Sequence, residues 1–251
     1  MLVFFELGNS RLKAAVLDNG SYEYLGGVVY DGHSTVELLK SFQIDAHDVE
    51  FVYACSVVDS MLSAEFTHSV QRLFKCYPTF LNTQPKCCGI KCGYTDFEKF
   101  GSDRWMAIIG ACSKQEQSAF IVDAGTAITV DVVIDQQHMG GFIVPGLETM
   151  KSSLLESTGI KPEWVALDNR LPDTLLATDT STGIAAGTLY MISAYINTLL
   201  ADLSSDTGLQ FMCVGTGGDF VRLQPMLDGD FDYIEDLTLL GMVEVIESLK
   251  K

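Results

Sequence analysis

Basic side chains are scarce in this 251-residue chain, where 16 Lys and Arg stand against 33 Asp and Glu for a formal net charge of −17. A nucleic acid or an anionic membrane would need a basic stripe to displace its counterions, and the sequence has none, so neither is expected as a partner. Long apolar runs are missing as well. No stretch approaches a membrane span, and the first residues lack the basic flank and apolar core of a signal segment, so a cytoplasmic protein is expected. Only four histidines occur, His33, His47, His68 and His138, and none has ligand or triad spacing, which leaves them to the surface or to packing.

What is present points to a packed protein, since 47% of the residues are apolar and the length suits one large domain or two ordinary ones. The acid is uneven: residues 1–112 carry 9 basic and 13 acidic side chains and the remainder 7 and 20, which reads as a solvated face. Seven cysteines without an export signal read as free thiols. Cys87, Cys88 and Cys92 cluster, but Cys-Cys-x3-Cys with no nearby His or second Cys pair is a poor tetrahedral set for zinc.

Residues 2–7, 11–18 and 22–30 predict three strands, with Gly8-Asn9 and Asp18-Asn19-Gly20 as hairpin turns. A helix from Ser34, a strand at 51–55, a helix at 59–74 and a short strand at 79–81 follow. The second half repeats the order, with strands at 119–124, 126–134 and 138–144, a helix near Pro145, a longer one over 181–203 and a strand at 209–214. A helix after Gly217-Gly218 and another from Asp236 complete it. Two βββαβα units imply an α/β protein of two domains, 1–115 and 116–251, each a mixed sheet flanked by helices, with a cleft between them. The polar connector spans 113–118.

The repeat extends to chemistry. Phe5-Glu6-Leu7-Gly8-Asn9-Ser10 and Val122-Asp123-Ala124-Gly125-Thr126-Ala127 each end an apolar run in a carboxylate with a Gly two places on. An acid at a strand end can hold a cation while Gly admits phosphate to backbone N–H groups, so a polyanion between the copies is implied. In the first copy Asn9 and Ser10 supply donors and Lys13 a point charge, though a plain Gly-Asn hairpin with an exposed Lys accounts for the same residues. In the second, Asp123 could cap a turn or hold a cation with Thr126, and Asp131 reads as structural. Between the copies, Gly101-Ser102-Asp103-Arg104 opens a helix in which Asp103 could be a cap or a catalytic acid. Gly140-Gly141 with Pro145-Gly146, and Gly217-Gly218-Asp219, add further Gly-bearing strand ends suited to a nucleotide.

Taken in order, Gly8-Asn9-Ser10 with Lys13, Gly93-Tyr94, Gly101-x-Asp103-Arg104, Asp123-x-Gly125-Thr126-Ala127, Gly140-Gly141 with Pro145-Gly146, Thr180 with Gly187, and Gly217-Gly218-Asp219 resemble the type III pantothenate kinases. That family belongs to the superfamily of acetate and sugar kinases, chaperone ATPases and actin. The resemblance spans nearly the whole chain and implies two ribonuclease H-like, actin-like ATPase domains. It implies ATP-dependent phosphorylation of pantothenate, the first step toward coenzyme A, with Mg²⁺ and a monovalent cation, K⁺ or NH₄⁺. By the same resemblance Glu6, Gly8, Asn9, Ser10, Lys13 and Thr126 contact ATP, and Asp123 helps hold the monovalent cation. Tyr94, Gly101, Ser102, Arg104 and Thr180 line the pantothenate pocket, and Asp103 is the general base. A homodimer is implied, with Thr180 acting in the partner's site. One residue departs from the pattern: Glu6 stands where the family has Asp, on the Mg-phosphate side. The rivals are another small-molecule kinase of the superfamily, which should lack the Tyr94 and Asp103-Arg104 pocket, and a non-catalytic ligand-binding regulator, against which Asp103, Lys13 and Asp123 together argue.

Overall fold

The computed structural model describes residues 1–115, 117–164 and 175–250. Its first compact unit comprises Met1–Glu116, Val133–Gly140 and Asp236–Lys251, and its second Gln117–Val132 and Gly141–Glu235.

In the first unit, β1 (Leu2–Leu7), β2 (Arg11–Asp18) and β3 (Ser21–Val29) form an antiparallel meander, and β4 (Phe51–Ser56) and β5 (Pro78–Phe80) add in parallel, for the order β3-β2-β1-β4-β5. The β2–β3 turn is the two-residue type that Asn-Gly favours, with φ of 48° at Asn19 and 83° at Gly20. Helices α1 (Thr35–Ser41) and α2 (Ser60–Phe74) start at side-chain caps: Ser34 accepts from Glu37 N in a reciprocal capping box, and Asp59 accepts from Leu62 N. Strand alternation sends Val3, Phe5 and Leu7 to the face these helices cover, where Phe5 meets Phe42, Phe66 and Phe74 at ring centroid distances of 6.0, 5.5 and 6.4 Å.

Phe4 and Glu6 therefore take the opposite face. There α3 (Ser102–Cys112) packs against the chain's last helix, Leu237–Ser248. The two backbones touch through glycines, since a Cβ on Gly110 would lie 3.1 Å from Gly241 N and one on Gly241 would overlap Met106 O. A short hairpin, β6 (Lys86–Cys87) and β7 (Ile90–Lys91), which the sequence reading passed over, precedes α3.

The second unit repeats the meander with β8 (Ala119–Ala124), β9 (Ala127–Ile134) and β10 (Gln137–Pro145), followed by α4 (Leu147–Ser157), α5 (Thr180–Thr207), β11 (Met212–Thr216), the one-turn α6 (Phe220–Leu223) and β12 (Phe231–Tyr233). The last helix is then α7. Strand order β10-β9-β8-β11-β12 matches that of the first sheet strand for strand, and β10 continues to β7 and β6 through the pair Gln137–Lys91. The register matches too. Glu6, fifth in β1, pairs with Cys55, fifth in β4, and Asp123, fifth in β8, pairs with Thr216, fifth in β11.

The second half departs from a plain βββαβα repeat in two ways: two helices stand before β11, and the helix after Gly217-Gly218 is a single turn. The expectation that no segment approaches a membrane span also needs correcting. Helix α5, at 28 residues, is long and apolar enough by length and composition. Its buried residues nevertheless form one stripe, Ile184, Ala185, Thr188, Leu189, Ile192, Ser193 and Ile196, as in a helix laid on a protein core.

Candidate active site

Glu6 ends β1 on the α3 and α7 face, and antiparallel pairing puts Lys13 directly across from it. Lys13 Nζ lies 3.4 Å from Oε1 and 3.2 Å from Oε2; Oε1 receives it in hydrogen-bond geometry, whereas buried Oε2 has no hydrogen-bond partner. Room for the lysine stem comes from Gly27, its neighbour on β3, where a Cβ would stand 3.1 Å from Lys13 Cγ. Burial raises the Glu6 carboxyl above its ordinary value, Lys13 works against that, and the charges of Asp103 and Asp236 add to it. Those two acids come from the starts of α3 and α7, and Tyr22 on β3 donates a very short hydrogen bond to Asp236. Gly8, Asn9 and Ser10 form the turn beyond Glu6, with Gly8 N donating to Arg11 O at 3.0 Å.

Asp103 is not the cap of α3. Gly101 holds that position without a side chain to cap with, and Asp103 lies in the first turn, its Oδ1 accepting from Arg104 N at 2.7 Å. Gly101 also leaves room for the acid, since a Cβ there would stand 2.7 Å from Asp103 Oδ1 and the carboxylate would have to shift. Buried Ser102 fixes this helix start to the end of β4: its hydroxyl donates to Ser56 O at 3.2 Å and accepts from Cys55 Sγ at 3.3 Å.

Arg104 is 6% exposed, with its guanidinium 4.6 Å from the Phe100 ring centre and Nη1 donating to Tyr94 OH at 3.4 Å. His138, fully buried, stacks on Tyr94 at 6.0 Å and accepts from Gly93 N at 3.4 Å through Nδ1. It is a packing residue beneath the Tyr94–Arg104 pair. Phe100, Tyr22 and Asp236 belong to this neighbourhood and were not singled out from sequence. A cavity of about 490 Å³ beside Gly101 and Ser102 is lined by Ser56, Val57, Asn82, Thr83 and residues 97–100.

In the second unit three glycine turns gather on the end of β8. Gly146 N donates to Thr126 O at 2.9 Å, and a Cβ on Gly146 would overlap Gly125 O. Gly217, at φ 90°, leaves space that a Cβ would fill 2.5 Å from Asp123 Oδ1, and Asp219 N donates to Ala124 O at 3.0 Å. Thr126 is exposed at the turn. Gly140 does not join them: it lies in the first unit's part of β10, and a Cβ there would meet nothing within 4 Å. Thr180 opens α5 behind its Asp179 cap and shares with Gly187 a groove of about 690 Å³ between α4 and α5, bordered by Met150 and Met191.

Among the described residues, no three His, Cys, Asp or Glu side chains converge closely enough to hold a metal ion by themselves. Glu6 Oε2, ion-paired with Lys13 but without a hydrogen bond, suits Mg²⁺, which is usually held by one or two carboxylates together with substrate phosphates. Gly217 packs against the end of β8 so closely that a Cβ would stand 2.4 Å from Ala124 O and 2.5 Å from Asp123 Oδ1.

A sequence profile of the type III pantothenate kinases matches residues 2–202. A protein of Hydrogenovibrio crunogenus named Type III pantothenate kinase is 55% identical over 249 residues, covering 99% of this chain and all of the relative. Among solved structures, a Sinorhizobium meliloti protein named as a 2-dehydro-3-deoxygalactonokinase superposes with a TM-score of 0.60 at 11% identity, covering 99% of this chain and 97% of its own. A Campylobacter jejuni protein described as a Baf family transcriptional activator does so at 0.59 and 22%, covering 99% and 98%. At those identities the structures share the fold alone, that of the actin-like and sugar-kinase ATPases. The full-length match and the family profile settle the affiliation: the chain belongs to the type III pantothenate kinase family.

Proposed function

We propose that the protein transfers the γ-phosphoryl group of ATP to the terminal hydroxyl of pantothenate, the step that opens coenzyme A synthesis. The observation that carries this reading is the 55% identity, end to end, with a relative named for that activity. The side-chain arrangement supports it. Phosphoryl transfer passes through a loose transition state, so the protein's main work is positioning and neutralising charge rather than covalent chemistry.

On this reading the N–H groups of the Gly8-Asn9-Ser10 turn and the Lys13 ammonium hold phosphate oxygens, and Thr126 contacts ATP. Glu6 would hold Mg²⁺ together with the phosphates, and Asp123 would help hold a monovalent cation, each ion supplying positive charge against the phosphate oxygens. Arg104 and Tyr94 are fixed by Phe100 and His138 and orient pantothenate. Gly101 and Ser102 complete that wall. Asp103, steadied by its own helix and by the Ser102 tie to β4, accepts the hydroxyl proton late in the transfer.

Residues 1–115 and 116–251 are the two halves of the duplication, the α7 helix of the second half packing within the first compact unit. A homodimer forms through the α4 and α5 surface, where Leu154, Tyr190 and Met191 are exposed near Thr180, which then acts in the partner's site. Sedimentation velocity should report twice the chain mass. All seven cysteines are free thiols, in keeping with a reducing cytoplasm. The direct test of the base is Asp103→Asn: we expect about 10²–10⁴-fold lower turnover in a chain that melts as the parent does. Turnover close to that of the parent would remove Asp103 from the role.

A further inference from the structure

The Glu6, Asp103 and Asp123 neighbourhoods make no use of the two cysteines at the tip of the β6–β7 hairpin. Cys87 pairs there with Ile90, and the residues between them, Cys88 and Gly89, have φ of 50° and 86°, the pattern of a two-residue type I′ turn. Asn or Asp is the ordinary choice at the first of these positions, because a left-handed backbone suits it better than Cys. Left-handed geometry at Cys88 has a consequence for its side chain. Successive residues of a strand point to opposite faces, whereas here the sulfurs of neighbouring Cys87 and Cys88 lie 3.7 Å apart and both residues are partly exposed.

That separation is far from the roughly 2.05 Å of a disulfide. The contact is a thiol–thiol hydrogen bond, and its length is close to the spacing of two thiolates on one tetrahedral ion, where bonds of about 2.3 Å, as in zinc sites, put the sulfurs about 3.8 Å apart. We propose that Cys87 and Cys88 form a bidentate site for a soft, thiophilic metal ion of the Cu(I) and Cd(II) class. On loading, two S–H bonds give way to two metal–sulfur bonds and both protons pass to solvent. Among the described residues no group of three His, Cys, Asp or Glu could hold an ion, so the outer positions fall to water or a small thiol. The site is therefore open and exchangeable, unlike the closed four-ligand zinc centre that the Cys-Cys-x3-Cys spacing argues against. Softness follows from the thiols themselves. Two sulfur ligands, with no imidazole or carboxylate completing the set, select an ion with strong sulfur affinity.

The test is a Cd(II) titration of the reduced full-length protein, followed by the thiolate-to-cadmium charge-transfer absorption and by native mass spectrometry. The expected result is one tightly bound ion per chain. Affinity should fall at least about tenfold in Cys87→Ser and in Cys88→Asn, a fall of the size expected when a site loses part of its ligand support. It should be unchanged in Cys76→Ser and Cys92→Ser. Cys88→Asn suits the turn, so its melting temperature should hold while the ion is lost. Unaltered binding in Cys87→Ser and Cys88→Asn, binding lost only in Cys92→Ser, or no binding by the parent would each overturn the assignment.

Discussion

Glu6 is buried at the end of β1, with Lys13 beside it and one carboxylate oxygen left without a hydrogen bond. An Asp at this position would end about 1.5 Å nearer the backbone. If the carboxylate positions the metal–phosphate complex, a displacement of that size is worth up to about 10²-fold in rate. We therefore expect Glu6→Asp to change kcat or KM for Mg-ATP, and values identical to the parent's would show that the longer side chain is inconsequential. Burial also makes Glu6 a pH-linked stability term. A carboxyl whose folded pKa is raised contributes its stability below the ordinary value of 4.5 and loses it as pH climbs through the folded pKa. Glu6→Gln lacks that loss. Its melting temperature should therefore gain on the parent's as pH rises above the ordinary carboxyl value of 4.5, by calorimetry, and a constant difference would contradict the burial argument. Glu6, Lys13 and Asp103 were legible in sequence because each belongs to a short motif whose chemistry is local. Tyr22 and Asp236 were not, since they meet across 214 residues through sheet pairing and helix packing. His138 lacks any ligand spacing because its task is to pack under Tyr94.

At the scale of elements, α3 carries Asp103 and leans on α7 through Gly110 and Gly241. A Cβ on Gly241 would overlap Met106 O, so Gly241→Ala must push the helices apart. We expect about 1–3 kcal/mol of destabilisation, as for other overpacked cores. A urea transition with an unchanged midpoint would mean the contact yields freely. The opening meanders were legible because their apolar runs end at turn residues with clear preferences, as at Asn19-Gly20. The β9–β10 turn uses Asp135 and Gln136 at φ 49° and 59°, with no glycine to mark it, yet the apolar runs on either side still located both strands. Short pieces left less trace. Strands β6 and β7 are two residues each and β12 is three, too short for alternation to stand out, and the helix read after Gly217-Gly218 is the one-turn α6.

For the whole molecule, the repeated strand order and the matched fifth positions of β1, β4, β8 and β11 show why two short carboxylate-glycine motifs could reveal a duplicated fold. Helix packing was less accessible. Nothing local in Asp236–Ser248 says that this segment packs on α3 in the first compact unit, because an apolar helix face does not name its partner. Helix α5 misled the reading for a related reason: polar Thr and Ser side chains interrupt its apolar residues, so its total apolar length was hidden by the absence of any continuous run. The central claim concerns the reaction, and a coupled assay of ADP release with and without pantothenate, run in potassium and then in sodium, tests it most directly. The account predicts ADP release that requires pantothenate and is faster in potassium. No pantothenate-dependent release with either cation would contradict it.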